Sequence, residues 1–254
     1  MAQYSFARTI THVLWLALLS CLGLPVLAAD DIRIVTEELP PYNMTQDGRL
    51  TGLSTEVVLA VLKEIGVDAS IQPMPWARTY DIALNSENVL IYSIARTEQR
   101  EKLFKWVGDI APVHWVLFAR PGSAIRLKHL DDARKYQVGT VREDAGEQYL
   151  ESQGFVVGKN LQSSNKYEYN YEKFKLGRID LWLSVELNAL YLMRRAGDDP
   201  AQTALLALRL PELDGRLYMA FSLKTPDTLV ERFRKGLEAI RKNGTYDAIL
   251  KKWM

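Results

Sequence analysis

One stretch of this chain combines residue types suited to holding an anion. Ser93, Arg96, Arg100 and Lys102 all lie in the segment Val89–Lys102. An arginine's planar fork of N–H groups matches a carboxylate through two parallel hydrogen bonds, and a serine hydroxyl can add another. The segment begins with the apolar run Val89-Leu90-Ile91-Tyr92 and turns polar at Ser93. A run apolar at every position suits a parallel strand buried on both faces. In an open α/β sheet, ligands gather beyond the carboxyl ends of such strands. Thr97 is placed to cap a short helical turn that would set Arg100 on its exposed side. The bland alternative is a solvated charged face made of Arg96, Arg100 and Lys102.

Glu37 and Glu38 follow the first apolar run, Ile32-Arg33-Ile34-Val35. They could meet a cationic group, although loop carboxylates are mostly solvated. Trp76 either lines a cleft or staples a helix entry. Trp106, Trp115 and Trp182 read as core and hinge packing, and Tyr167, Tyr169 and Tyr171 as surface or lobe packing. Three histidines and one cysteine leave little for a metal cluster or a histidine-based triad, so neither a metal nor a cofactor is expected.

The elements that position these residues alternate. After the strand at 32–35, the Pro40-Pro41 pair forces an extended loop. Asp47-Gly48 makes a tight turn, and a helix follows, capped by Ser54 and striped with Val57, Val61 and Ile65. A strand around Val67–Ile71, a helix from Trp76 to about Asn85 and the strand at Val89 complete a β-α-β-α-β series, the signature of a parallel sheet wrapped by helices. Val113–Arg120 is a long strand-like run. The pattern then repeats weakly: strand 137–141, helix 143–153, strand Phe155-Val156-Val157, helix 169–176 and strand 179–184. A helix at 186–195 and strand-like runs at 205–210 and 216–223 follow. Pro226 opens a helix ended by Asn243-Gly244, and Thr245 caps a last one. Two similar α/β lobes are therefore expected.

The first 29 residues read as a secretory signal peptide: Arg8, an apolar segment from Val13 to Leu24, the breaker Pro25, and small residues at Ala28 and Ala29. Leu18-Leu19-Ser20-Cys21 is a poor lipobox, so lipid anchoring at Cys21 is not expected. Cys21 is the only cysteine, and the exported chain has no disulfide. Of 32 Lys and Arg residues only Arg8 precedes the cleavage point, whereas all 31 Asp and Glu follow it. The exported chain is neutral with histidine uncharged, which argues against nucleic acid as a partner. The chain reaches Met254 without a membrane segment, which favours a free receptor over an attached sensor domain.

Four motifs, in this order and spacing, give the chain its family likeness. They are Leu39-Pro40-Pro41-Tyr42 with Gly48, Leu50 and Gly52; Ser93 to Arg100 with Phe104 and Trp106; Lys175 with Gly177-Arg178-Ile179-Asp180; and Asn243-Gly244-Thr245-Tyr246 with Ile249, Lys252 and Trp253. With these the chain resembles the family 3 extracellular solute-binding proteins, the polar-amino-acid-binding group of ABC importers. The resemblance covers everything past the signal. It implies a type II periplasmic binding protein fold: two α/β lobes joined by two hinge strands, with residues 30–112 and 217–254 in lobe one and 113–216 in lobe two. It also implies that Ser93 and Arg100 hold a ligand carboxylate and that Tyr42 occupies an aromatic position.

This chain departs from the family pattern at several points. Leu39 stands where a stacking aromatic is usual, and Ala95 replaces a second hydroxyl. In lobe two the carboxylate-binding turn is replaced by Arg142 and the acidic Glu143-Asp144-Ala145, which would repel a carboxylate. Glu186 is the substitute suggested for an ammonium-binding acid, and Arg78 is an added basic residue. The ligand set expected from the sequence is therefore Arg100, Ser93, Tyr42, Trp76, Arg78, Glu38, Arg142, Asp144 and Glu186.

The function these readings imply is a monomeric periplasmic receptor that closes on a small polar, carboxylate-bearing solute and delivers it to an ABC permease, with no catalysis. Two other readings stay open. One is a periplasmic enzyme like the cyclohexadienyl dehydratase of the same fold, using Glu37, Glu143 or Glu186 as acid or base. The other is a binding partner in a sensory system.

Overall fold

The computed structural model describes residues 32–254, so the expected signal peptide and Cys21 lie outside the described residues. The series β1 (Arg33–Thr36), α1 (Leu53–Glu64), β4 (Ile71–Pro73), α2 (Trp76–Asn85) and β5 (Val89–Ala95) forms the first half of lobe one. A hairpin of β2 (Met44–Gln46) and β3 (Arg49–Thr51) interrupts it. β1 pairs in parallel with both β4 and β5. All seven residues of β5 are buried, as its unbroken apolar run requires of a strand with neighbours on both edges and helices over both faces.

The chain then runs through β6 (Phe104–Val113), turns at His114, and enters lobe two as β7 (Trp115–Ala119). There β8 (Val138–Val141), α3 (Ala145–Ser152), β9 (Leu161–Ser164), α4 (Tyr167–Lys175) and β10 (Leu181–Val185) repeat the series of lobe one. α5 (Glu186–Arg195), the short α6 (Pro200–Thr203) and β11 (Leu205–Arg209) follow. The chain crosses back through residues 210–214 into β12 (Gly215–Ser222), and α7 (Asp227–Lys242) and α8 (Thr245–Trp253) close lobe one.

The two sheets have equivalent orders, β4-β1-β5-β12-β6 and β9-β8-β10-β7-β11. In each, a parallel pair of pairings is followed by one antiparallel strand, β12 or β7, which arrives directly from a crossing. This is the two-lobed type II fold. The crossings are tied together: Asp214 accepts from the Trp115 amide (2.9 Å) and lies 3.0 Å from His114 Nδ1. β6 ends at Val113 and β12 begins at Gly215, with His114 and residues 210–214 between the two sheets.

Several local expectations are corrected. The second strand is Ile71–Pro73, not Val67–Ile71; as an edge strand it tolerates Pro73, whose missing N–H would break a central ladder. Phe155-Val156-Val157 is a loop entering the turn at 158–160, with a lone parallel bridge from Val157 to Leu161 and with Val156 and Val157 51% and 46% exposed, and the strand is the polar edge β9. Asn160 Oδ1 holds that turn by accepting from the Val156 amide, 2.8 Å. Gly52, not Ser54, caps α1, and the buried Ser54 hydroxyl has no partner. Thr97 makes no side-chain cap, and Gly244 rather than Thr245 occupies the cap of α8. Trp182 is wholly buried against Phe118, Tyr171 and Phe174, with ring centroids 5.2–5.8 Å away. Among the described residues no helix is long and apolar enough to cross a membrane.

Candidate functional site

The carboxyl ends of β1 and β5 in lobe one face those of β8 and β10 in lobe two. Glu37, Ser93, Arg100, Asp144, Val185 and Trp115 line the space between them, a cavity of about 10 Å³ that matches one water molecule. The lobes therefore meet in direct contact, and the contacts define the site.

Arg100 is its centre. The short turn Glu98–Arg100 that follows β5 carries it inward, not to the exposed side expected from the sequence, and it is only 1% exposed. The guanidinium lies over Trp76 and Tyr80, 5.2 and 4.9 Å from their ring centroids. Nε donates to Gln148 Oε1 (3.0 Å) and Nη2 to the Glu143 carbonyl (3.0 Å), both in lobe two. Nη1 lies 3.4 Å from the Ala95 carbonyl. Among the described residues no carboxylate reaches it within ion-pair distance, and burial holds its pKa below the usual arginine value. A buried guanidinium with only neutral acceptors is incompletely compensated and favours an added anion.

Two residues with left-handed backbone shape the site. Glu143 (φ 61°) turns its carbonyl back toward lobe one, where it accepts from both Arg100 and Trp76 Nε1 (2.6 Å). The amide of Glu143 donates to Glu147, which also accepts from Thr140 and Ser163 and so braces the turn. Ser93 (φ 61°) sits at a bulge in β5: Tyr218 faces Ile94 and Met219 faces Tyr92, leaving Ser93 without a partner. A bulge re-aims a side chain out of the strand's alternation, here toward the cleft. The Ser93 hydroxyl is 2.5 Å from Asn43 Oδ1, and Asn43 Nδ2 donates to the Glu37 carbonyl (2.5 Å), so one network links the loops after β1 and within β5.

The cleft is also acidic. Glu37 is 4% exposed, and burial together with the nearby Asp144 holds its carboxyl well above the usual range. Its Oε1 lies 3.4 Å from the Tyr167 hydroxyl, across the lobe boundary. Asp144 caps α3 through its Oδ1, which accepts from the Glu147 amide (2.6 Å), and burial raises its pKa to about 7. A further link between the lobes runs from Asn188 Nδ2 to the Pro40 carbonyl, 2.7 Å.

Of the nine residues expected from the sequence, the structure brings together Arg100, Trp76, Ser93 and Asp144. The other five lie elsewhere. Glu38 lines the adjoining pocket beside Glu37 and Trp76, but its carboxylate is held by the amide (2.9 Å) and hydroxyl (2.6 Å) of Thr45. Tyr42 is buried behind the loop and donates to the Pro112 carbonyl, 2.9 Å. Arg78 and Arg142 are exposed. Glu186 is held by both terminal nitrogens of Arg209 (2.9 and 3.1 Å) within lobe two. Sequence reasoning passes over Gln148, Asn188 and Asn43, reads Tyr167 as packing, and offers Glu37 as a cation partner or an acid–base candidate while favouring a solvated loop carboxylate. The one available signal was alternation: of two adjacent glutamates after a strand, only one can face inward. Among the described residues, no group of three or more His, Cys, Asp or Glu side chains is arranged to hold a metal.

A two-lobed receptor fold with a polar site between its lobes is the class these features define. The sequence profile of the bacterial extracellular solute-binding proteins, family 3, matches residues 32–254, and the chain belongs to that family. Its relatives include the L-cystine-binding protein TcyJ of Escherichia coli (strain K12), 25% identical over 84% of this chain and 78% of that protein. The arginine-binding periplasmic protein of Mannheimia haemolytica is also 25% identical, over 89% of this chain and 92% of that protein. Among solved structures, a histidine kinase sensor domain with similarity to periplasmic binding proteins superposes with a TM-score of 0.78 at 22% identity, covering 89% of this chain and 97% of that one.

Proposed function

We propose that this protein is a periplasmic receptor that captures an amino-acid-like solute by closing its lobes, with the ligand's carboxylate seated on Arg100, and presents it to an ABC permease. The observation that carries this reading is the buried Arg100 guanidinium, satisfied across the lobes by neutral acceptors alone. An incoming carboxylate would take the place of Gln148 and the Glu143 carbonyl on the guanidinium fork. Those lobe-two groups would then reorganise around the ligand, so binding and closure are coupled. The names of the cystine- and arginine-binding relatives support an amino acid as the solute class. Export by a signal peptide ending near Ala29, action as a monomer and the absence of catalysis belong to the same reading.

A thermal-shift screen of the mature protein against amino acids and small carboxylates tests it, with hits measured by calorimetry. Arg100→Ala should weaken a carboxylate ligand at least about thirtyfold, because truncating one partner of a buried charge pair costs about 2 kcal/mol or more. Arg100→Lys should recover only part of that, since a point charge cannot form the fork. Undiminished binding by Arg100→Ala would sink the reading.

A second reading rests on Glu37, whose raised pKa suits a general acid in an elimination. Chemical conversion of the bound ligand would favour it over simple capture.

A further inference from the structure

Lobe two fills one edge of the Arg100 guanidinium. Nε and Nη2 lie side by side along the edge that takes both oxygens of a carboxylate in a side-on arginine fork. Here that edge faces two lobe-two oxygens, Gln148 Oε1 on Nε and the Glu143 carbonyl on Nη2, each at 3.0 Å. The pair of hydrogen bonds that a carboxylate would accept is made by the protein to itself.

Both oxygens are held in place. Glu143 keeps a left-handed backbone (φ 61°), which a non-glycine residue adopts only at a cost. The buried Glu147 carboxylate fixes it there by accepting from the Glu143 amide, 3.0 Å. The Glu143 carbonyl thereby reaches Trp76 Nε1 (2.6 Å) as well as Arg100. Gln148 stands in α3, and its Nε2 donates to the Glu143 carboxylate (3.3 Å), which turns the amide oxygen toward Arg100. Elsewhere across the boundary Asn188 donates to the Pro40 carbonyl, 2.7 Å, and the lobes leave only about 10 Å³ between them.

Resting on the carboxylate-on-Arg100 reading, we propose that lobe two carries an internal ligand: Gln148 Oε1 and the Glu143 carbonyl occupy the carboxylate seat in the free protein, hold the lobes closed and must be displaced by an incoming solute. Gln148 thereby becomes a specificity-determining residue. A carboxylate wins the seat because it brings charge to a buried cation, which two neutral oxygens do not. A carboxamide in the same place exchanges one neutral acceptor for another and gains nothing. Apparent affinity falls in proportion to the fraction of free protein that is closed on itself.

Hydrogen exchange by NMR reads this closure without any ligand, on protein refolded from guanidinium chloride to strip bound solute. The Trp76 indole N–H and the Asn188 side-chain amide are the reporters, because they belong to separate contacts across the lobes. Gln148→Ala removes one of the two oxygens and keeps the helix, since alanine is the best helix former. Both reporters should exchange at least about tenfold faster in that variant, the worth of a hydrogen bond to a charged group. Gln148→Glu is nearly isosteric and places a carboxylate on the same edge, so it should slow both at least about tenfold relative to the wild type. Small-angle X-ray scattering should give Gln148→Ala a larger radius of gyration than the wild type, and Gln148→Glu one no larger.

Equal exchange of both reporters in the wild type and Gln148→Ala overturns the inference. Acceleration of Trp76 with Asn188 unmoved does so too, because it marks a local change in the Glu143 turn and not an opening of the lobes. The carboxylate reading is judged apart from these outcomes, by the loss of ligand affinity in Arg100→Ala, since no ligand enters the exchange measurement.

Discussion

Asp144→Asn is the most informative single change, because asparagine removes the charge and keeps the cap. The Asn side-chain oxygen can accept from the Glu147 amide as Asp144 does, and Asn and Asp are equivalent helix caps. Burial lifts the Asp144 pKa from the ordinary 3.8 to about 7. Each tenfold change in proton affinity is worth about 1.4 kcal/mol, so ionising Asp144 in the closed protein costs about 4 kcal/mol. The folded-state value lies above the unfolded one. The stability it contributes is therefore complete below about pH 4, declines between pH 4 and 7, and is gone above that. Glu37 acts in the same direction.

The carboxylates that act oppositely, Glu101, Asp109, Asp132, Asp198 and Asp227, are held below their ordinary values by their partners and finish titrating in more acidic solution. Glu151 is raised by burial as Glu37 is, so the comparison of Asp144→Asn with the wild type across pH 5 to 8, in which the other groups are common to both, is what isolates Asp144. Between pH 5 and the raised value about two pH units remain, worth about 2.7 kcal/mol, and for a chain of this size about 1 kcal/mol moves Tm by about 2–4 °C, which makes about 5–11 °C the ceiling. Separation of the lobes rehydrates both carboxyls at lower cost and lowers that figure. Melting followed by circular dichroism in the absence of ligand should show Asp144→Asn gaining on the wild type by at least about 4 °C between pH 5 and pH 8. A difference that stays constant across that range would refute the assignment of a protonated, buried Asp144.

Two further changes test how the lobes and loops are held. Asn188→Ala deletes the bond to the Pro40 carbonyl and leaves that acceptor buried. It should weaken ligand binding about five- to thirtyfold, or about 1–2 kcal/mol, and unchanged affinity in calorimetry would remove Asn188 from the closing contacts. Gly52→Ala should destabilise the protein by about 3 kcal/mol or more. Gly52 has φ 116°, and an added Cβ would stand 2.5 Å from the Tyr42 carbonyl oxygen and 2.7 Å from that of Pro41. A mutant with wild-type Tm would contradict this backbone geometry.

Arg100 shows how local and tertiary information divide. Its chemical type and its place beyond the apolar strand Val89–Ala95 were legible, because strand patterning and the polar exit are written residue by residue. Its burial was not. That depends on Trp76 and Tyr80 from α2 and on Gln148 and Glu143 from lobe two, none of them its neighbours in sequence. Ser93 is similar: its hydroxyl was visible, but the bulge that aims it is made by the pairing of β12, more than a hundred residues on. The exchange of Glu38 for Glu37 turns on a single step of alternation at the end of β1, where the loop's own hydrogen bonds to Thr45 decide which carboxylate faces out.

The sequence by itself therefore determined the two β-α-β-α-β series, the two-lobed fold, the family, and the arginine at the strand end. These rest on periodicity, turn chemistry and motif order, which short-range sterics and burial impose wherever the segment lies. Tertiary structure alone decided which carboxylates share the cleft, that Glu37 and Asp144 are buried beside Arg100, and that Tyr167 and Asn188 bridge the lobes. The physical reason is that burial and the electrostatics it amplifies are properties of the space between two lobes, and that space is enclosed by side chains from both of them.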